Sequence, residues 1–268
     1  MALPDSSTAL TRPGTLDLPC PTAPGSRLEL HVGEGDVTVV RDPSVDSVRV
    51  EVRELRGGRL TARAAGGSLF VSVGGAGPPR AVVLVTLPPS SALTVRTRSA
   101  PVLLLTALTA GAPRATGAAE VHSVDGPVEF RRAGGPVVFR TESGAVAVTG
   151  LTGRVTGTTG SGGVTLDLSP VPGTPPGDRA IDVRTGSGPI GMRVPPGADA
   201  RVRASSGTGR VVTDVPGLVR PPGPAAPGSV TASGTLGRGS AAWSLESAAG
   251  GVALLRQGPD VPSRGGVG

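Results

Sequence analysis

From Gly117 to Pro170 the chain divides into six contiguous nine-residue units, GAAEVHSVD, GPVEFRRAG, GPVVFRTES, GAVAVTGLT, GRVTGTTGS and GGVTLDLSP, and every unit opens with Gly. In the last five, Val holds the third place, at Val128, Val137, Val146, Val155 and Val164. Apolar and polar residues then alternate, as in Val128-Glu129-Phe130 and Val164-Thr165-Leu166-Asp167-Leu168. A period of two marks a half-buried strand, so each unit predicts one short strand and one turn. The register turns Val128, Phe130, Val137, Phe139, Val146, Val148, Val155, Val164, Leu166 and Leu168 inward. Gly takes positive φ at little steric cost, which suits a tight corner recurring once per unit. Two units make about one coil. Units this small cannot bury an apolar face alone and must stack, one strand ~4.8 Å above the next.

The same alternation appears less strictly elsewhere, at Leu28 to Val32, Asp36 to Val40, Val48 to Val52, Ala180 to Arg184, Thr208 to Val212 and from Ser229 to Leu255. An internal echo links the two halves. Leu87-Pro88-Pro89 precedes Val95-Arg96-Thr97 at the spacing with which Val194-Pro195-Pro196 precedes Val202-Arg203-Ala204. The Pro-rich interruptions Val171 to Gly177 and Pro216 to Gly228 read as surface loops, because strand patterns resume on both sides. The expected fold is all-β: a single-domain, β-solenoid-like stack of short strands with Gly-rich turns over residues 27–256. Residues 1–26 form a disordered Pro-rich tail and residues 257–268 a flexible one.

Composition narrows this picture. With 43 Gly and 28 Pro among 268 residues, few windows are long enough for a helix. Three Phe, one Trp and no Tyr leave Val, Leu and Ala to build a narrow core, with Phe70, Phe130, Phe139 and Trp243 at apparent core places. Trp243 is expected inward with Leu245, near the end of the stack. The formal charge is +6, and all 26 basic residues are Arg, which raises the pI without adding charge. Cys20 is the only cysteine, so no disulfide forms within the chain. The N-terminus has neither the basic start nor the apolar run of a signal peptide. The longest apolar stretches fall short of the ~20 residues of a membrane-spanning helix. By sequence, the expected location is cytoplasmic.

The pieces Arg184-Thr185-Gly186-Ser187-Gly188, Val194-Pro195-Pro196-Gly197-Ala198, Ala204-Ser205-Ser206-Gly207-Thr208-Gly209 and Gly33-Glu34-Gly35-Asp36-Val37 resemble the bacterial putative-adhesin family of β-strand-repeat proteins, a domain of unknown function. The resemblance covers most of residues 27–256. The acidic residue that family carries after its Ser-Gly corner is replaced here by Ala145, Gly163, Pro189 and Thr208. The resemblance implies envelope or surface association and no known catalytic residues.

Candidate chemistry is sparse. Gly186 to Gly191 fits the spacing GxGxxG, but Met192-Arg193-Val194-Pro195-Pro196 follows, a strand closed by prolines where a dinucleotide site needs a helix. Calcium-binding nonapeptide repeats need an Asp in each unit; the six units hold only Asp125 and Asp167. His122, Ser123 and Asp125 lie too close along one strand to assemble a triad. His31, Glu34 and Asp36 around a turn lack the further ligands of a zinc set. The expectation is no enzyme, no cofactor and no metal. A carbohydrate-active β-helix enzyme acting on an acidic polysaccharide is the alternative, through Asp167, Asp182 and Asp214 if stacking unites them.

Arg131, Arg132, Arg140, Arg154, Arg184, Arg193, Arg201, Arg203 and Arg210 are the candidate contacts to an anionic polymer, if their coils align. Nucleic acid is excluded as a partner by the lack of an aromatic stacking platform. The expected function is therefore a non-catalytic β-repeat scaffold or adhesin-like interaction module. Its expected partners are a protein or envelope polymer on the flank, or further copies at the open ends of the stack.

Overall fold

The computed structural model describes residues 6–21, 26–65, 67–107, 116–150, 153–169, 179–219 and 229–257. These form 24 strands and no helix, so no helix among them could cross a membrane. The N-terminal third holds β1 (Ser6–Leu10), β2 (Gly14–Leu18), β3 (Leu28–Val32), β4 (Glu34–Arg41), β5 (Val48–Arg56), β6 (Arg59–Ala65), β7 (Ser68–Gly74) and β8 (Arg80–Leu87). The middle holds β9 (Leu93–Thr97), β10 (Val102–Thr106), β11 (Ala119–Ser123), β12 (Val128–Arg131), β13 (Val137–Thr141), β14 (Val146–Thr149), β15 (Val155–Thr159), β16 (Val164–Asp167), β17 (Ile181–Thr185) and β18 (Ile190–Val194). The C-terminal part adds β19 (Ala200–Ser206), β20 (Val211–Thr213), β21 (Leu218–Val219), β22 (Val230–Leu236), β23 (Ala241–Ser247) and β24 (Val252–Arg256).

The strands make two sheets. A front sheet of 13 strands has the order β1-β6-β7-β3-β9-β11-β13-β15-β17-β23-β19-β22-β21, and a rear sheet of 11 has the order β2-β5-β8-β4-β10-β12-β14-β16-β18-β24-β20. Each middle coil crosses from a front strand to a rear strand, and successive coils stack in parallel. Val128 pairs with Val146 and Val146 with Val164, while Val137 pairs with Val155. Successive nine-residue units thus lie in opposite sheets, two to a coil. The inward residues expected from the alternation are all buried, with Phe130 and Phe139 the bulkiest apolar ones. Burying a Val or Leu side chain contributes roughly 1.5–3 kcal/mol, and the repeat supplies that gain at every step of the stack.

The recurring glycines work differently from the sequence expectation. Gly126, Gly144, Gly162, Gly188, Gly209 and Gly250 are absent from the positive-φ residues. They are required because a Cβ on any of them would sit 2.0–2.4 Å from a carbonyl oxygen of the neighbouring coil. Gly117, Gly135 and Gly153 do the same at the opposite corner, at 2.1–2.5 Å. Close stacking, not turn geometry, selects glycine. The front-to-rear corner is closed by an inward hydroxyl three residues before that Gly. Ser123, Thr141, Thr159 and Thr185 donate to the carbonyls of Gly126, Gly144, Gly162 and Gly188 at 2.6–2.8 Å. A buried polar group is tolerated when its hydrogen bond is made.

The Leu87-Pro88-Pro89 and Val194-Pro195-Pro196 echo marks the two places where the chain skips a level. From β8 it passes over β3/β4 to reach β9/β10, and from β18 it passes over the future site of β23/β24 to reach β19/β20. Each gap is filled by a strand pair from the corresponding end of the sequence, docked in parallel on both sides. Outside these levels the pairing turns antiparallel, as β5 with β8, β6 with β7 and β19 with β22.

Residues expected in an N-terminal tail supply β1 and β2, which pair antiparallel with β6 and β5 and bring Leu10, Leu16 and Leu18 onto the core. Trp243 and Leu245 are inward, one level from the last coil, and the indole Nε1 donates to the Arg179 carbonyl at 2.6 Å. Phe70 departs from its expected core place. It stands 36% exposed on the outer side of β7, because its inward neighbours Leu69 and Val71 take the core positions. Val171 to Gly177 and most of Pro216 to Gly228 lie outside the described residues. Among the described residues two arginines are buried: Arg179 donates to the Leu168 carbonyl, and Arg41 ties the rear-to-front corner by donating through Nη2 to the carbonyls of Ser91 and Ala118 at 3.1 and 2.9 Å. Burial lowers the Arg41 pKa to about 10.

Candidate functional site: the outer face of the front sheet

Alternate residues of a strand point outward, so parallel register sorts them into rows that run along the stack. One front row reads Ser72, His31, Arg96, His122, Arg140, Thr158, Arg184, Glu246 and Ser205, from β7 through β3, β9, β11, β13, β15, β17 and β23 to β19. The row beside it reads Phe70, Glu29, Thr94, Glu120, Val138, Thr156, Asp182, Ser244 and Arg203. Arg96, Arg140 and Arg184 therefore recur on every second level, at twice the ~4.8 Å strand spacing. Both histidines of the chain fall in the same row, on alternate levels with the first two arginines.

The carboxylates of the second row pair with some of these groups. His122 Nε2 lies 2.8 Å from Glu120 Oε1, and His31 Nε2 lies 3.8 Å from Glu29 Oε2. Arg184 Nε lies 3.5 Å from Asp182 and 3.8 Å from Glu246. Among the described residues no carboxylate lies within 4.0 Å of the Arg96 or Arg140 guanidinium. Exposed pairs of this kind contribute no more than ~1 kcal/mol each, so an incoming anion can displace them.

The candidate arginines divide among three places. Arg140, Arg184 and Arg203 lie in the front rows, with Arg201 one outward position earlier on β19. Arg131 and Arg193 project from the rear sheet, where Arg131 binds Glu129 at 2.6 and 3.1 Å and Arg193 lies 3.6 Å from Asp167. The Glu129 hydrogen bond holds the Arg131 guanidinium above its ordinary pKa range. Arg132, Arg154 and Arg210 lie outside the strands, beside the ends of β12, β15 and β20, and Arg132 has a left-handed φ of 59°. Two contributors were missed from sequence. Arg96 was visible only as part of the Val95-Arg96-Thr97 echo, and His122 was considered only for catalysis; the level each occupies depends on strand pairing that local alternation does not encode.

The rear face has another character. Its corresponding row reads Thr38, Leu103, Glu129, Ala147, Thr165, Gly191 and Ala253. A shallow hollow of about 510 Å³ lies over Thr38, Leu103, Ala147 and Thr165, and a second of about 380 Å³ continues it over Gly191 and Ala253. Glu129 also lines the first hollow, and the small outward side chains of Ala147, Thr165, Gly191 and Ala253 make the floor of the trough.

The three carboxylates of the enzyme alternative do not meet. Asp182 is on the front face, Asp167 is on the rear face where it accepts from Ser169, and Asp214 lies past β20 and accepts the Arg256 amide. His122 points outward while Ser123 points inward to its corner carbonyl. The Gly186 to Gly191 segment leads into β18, a strand, so it offers no helix N-terminus to a phosphate. His31 is on the front face, whereas Glu34 and Asp36 begin β4 in the rear sheet.

No family model matches the sequence, and no curated protein matches it. Among solved structures, the chain is similar to a putative cell adhesion protein from Clostridium sporogenes, at a TM-score of 0.31 and 10% identity over 94% of this chain and 100% of that one. It is also similar to a putative adhesin from Bacteroides fragilis, at a TM-score of 0.30 and 8% identity over 92% of this chain and 98% of that one.

Proposed function

We propose that this chain is a non-catalytic, adhesin-like scaffold that holds an anionic polymer of the bacterial cell envelope along the outer face of its front sheet. One observation carries the reading: Arg96, Arg140 and Arg184 recur in a single row on every second level of a continuous parallel sheet. A flat face with charges at a fixed repeat suits a long ligand that makes the same weak contact many times, and multivalent contacts of this kind gain affinity without a deep cleft. The separation of Asp167, Asp182 and Asp214 removes the acid pair that a glycoside-cleaving enzyme would use. Binding of a sulfated polysaccharide to the purified protein, followed as salt rises, tests the reading. Affinity is expected to fall steeply with ionic strength, because exposed charges are screened beyond ~8 Å at physiological salt. Undiminished binding in high salt, or none in low salt, overturns it.

Self-association is the second reading, favoured by a specific feature of one end. There β1 and β2 are the last strands of the two sheets, each five residues long, whereas the other end stops at β20 and β21, of three and two residues. Unpaired strand edges accept further strands. Concentration-dependent assembly that survives high salt would support this reading; a monomer at all concentrations would remove it.

A further inference from the structure

The arginine row is not a simple basic stripe. On the four adjacent strands β3, β9, β11 and β13, the outward charged and titratable residues are Glu29, His31, Arg96, Glu120, His122 and Arg140. With neutral imidazoles this patch is charge-balanced, two carboxylates against two guanidiniums. With both imidazoles protonated it carries two net positive charges, and the row becomes four cations on four consecutive levels. Resting on the polymer-binding reading above, we infer that this patch is an acid-switched site for an anionic polymer, weak at neutral pH and engaged when His31 and His122 gain protons.

The surroundings of each ring allow this. His31 faces Glu29 on its own strand, Arg96 and Thr94 on β9, and the uncharged Ser72 and Phe70 on β7. His122 faces Glu120 on its own strand, Arg96 and Thr94 on β9, and Arg140 and Val138 on β13. Past the strand ends the charged residues are Arg27 before β3 and Arg98, Asp125 and Glu142 at the corners of neighbouring levels, two of each sign. Each ring thus has one carboxylate beside it: neutral His122 already turns its Nε2–H to Glu120, the added proton goes to Nδ1, and the carboxylate charge keeps the new cation from being repelled on every side. The His31 and His122 side chains are 47% and 25% exposed, so a polymer lying along the row reaches both. Histidine is the side chain that ordinarily changes charge between about pH 5 and 8. Protonation also engages Glu29 and Glu120 more fully with their own rings, which reduces the repulsion an approaching anion meets from the second row.

Dextran sulfate is a suitable probe, because sulfate esters keep their charge across the range. Wild-type protein is expected to bind it roughly tenfold tighter at about pH 5.5 than at about pH 7.5, on the scale of two added exposed ion contacts. In a His31→Gln/His122→Gln variant the gain in affinity on acidification is expected to vanish, so that the affinities at the two pH values become equal. Arg96→Gln/Arg140→Gln is expected to weaken binding at both pH values. Circular dichroism confirms that each surface variant is folded. If the histidine variant keeps the wild-type pH dependence, or loses binding equally at both pH values, the switch is wrong. Wild-type binding independent of pH also sinks the switch but leaves the polymer reading standing, whereas no binding at either pH removes both.

Discussion

The middle of the stack and its two ends use the same strands under different constraints. From β11 to β18 every coil is pressed between two neighbours, and each front-to-rear corner carries an inward Ser or Thr bonded to the carbonyl of a Gly three residues later. At β9 the hydroxyl remains but the Gly is replaced by Ala100, and Thr97 Oγ1 is buried with no partner among the described residues. At β3 the hydroxyl is replaced by Val32, while the corner glycine persists as Gly35, where a Cβ would meet the Ala81 carbonyl oxygen. The corner glycine is thus kept at most levels, but the hydroxyl bond within one corner is confined to β11, β13, β15 and β17; at β23 and β19, Ser247 and Ser206 donate instead to the Gly188 and Gly250 carbonyls of the neighbouring level. The ends are free to insert strand pairs, turn antiparallel and stop.

The sharpest way to break that comparison is to add one methyl group. Gly162→Ala would place a Cβ 2.1 Å from the Gly144 carbonyl oxygen, and the three nearest atoms are all backbone of that neighbouring corner, which has little room to yield. A loss of about 3 kcal/mol or more is expected from such overpacking, read as a fall in the denaturation midpoint or as failure to fold. Gly33→Ala meets nothing within 4 Å and should change stability by no more than ~0.5 kcal/mol. Equal losses at the two sites would show that the glycines serve the turn and not the stacking.

The middle was legible for the reason this prediction exploits. A uniform level spacing forces the same residue type at the same place, so Gly117 to Pro170 carries a visible period of nine. Inward positions followed from alternation, because side-chain direction in a strand is a local property. The ends were less legible, since the insertion of β3/β4 and β23/β24 is a choice of partner between distant segments. The Leu87-Pro88-Pro89 echo was visible, but nothing local says that the turn skips a level. The candidate site suffered from the same gap. Arg140 and Arg184 share a row with Arg96, while Arg131 and Arg193 lie in the rear sheet, and strand pairing, not local alternation, decides both sheet and level. Phe70 was misplaced because an aromatic in an apolar run looks internal until the parity of the strand is fixed.

A smaller effect tests how tightly neighbouring levels are fitted within the middle. Phe139 lies next to Gly157, where a Cβ would come within 2.0 Å of the ring, and the corresponding places on other levels hold Val95, Val121, Val183 and Leu245. Gly157→Val alone should cost about 2–3 kcal/mol by overpacking, and Phe139→Val alone a similar amount through the cavity it leaves. Combined, they recreate the ordinary level. A favourable coupling of about 1–3 kcal/mol is expected from a double-mutant cycle in denaturant; strict additivity would mean that the two residues do not share one packing space.

The corner hydroxyls allow the same substitution to act with opposite sign in the two regions. Thr159→Val removes the 2.6 Å bond to the Gly162 carbonyl and should cost about 1 kcal/mol. Thr97→Val removes a buried hydroxyl with no partner among the described residues and should stabilise by up to ~1 kcal/mol. Thermal midpoints that fall for both variants would show that Thr97 is satisfied in solution, and the contrast between middle and end would narrow to the glycines.

The two inserted levels themselves differ in one carboxylate, and acid should separate them. At the C-terminal gap the Ala241 amide donates to the Asp199 carbonyl, while the Asp199 carboxylate accepts the Ser240 amide at 3.1 Å and lies 3.6 Å from Arg238. At the N-terminal gap the Leu28 amide donates in the same way to Ala92, which has no carboxylate to offer. The Ser240 amide bond holds Asp199 below the ordinary carboxylate range. A depressed acid contributes stability that is present above the unfolded value of ~3.9 and is lost as pH falls through the folded one. Amide protection relative to the unstructured chain at the start of β23 should therefore fall as the solution is acidified below about pH 4, while β3 keeps its protection. Asp199→Asn should remove that difference, because an amide side chain can still accept the Ser240 N–H but no longer titrates. Equal acid sensitivity of β3 and β23 would place the loosening in the sheets as a whole and not in the clasp around the C-terminal pair.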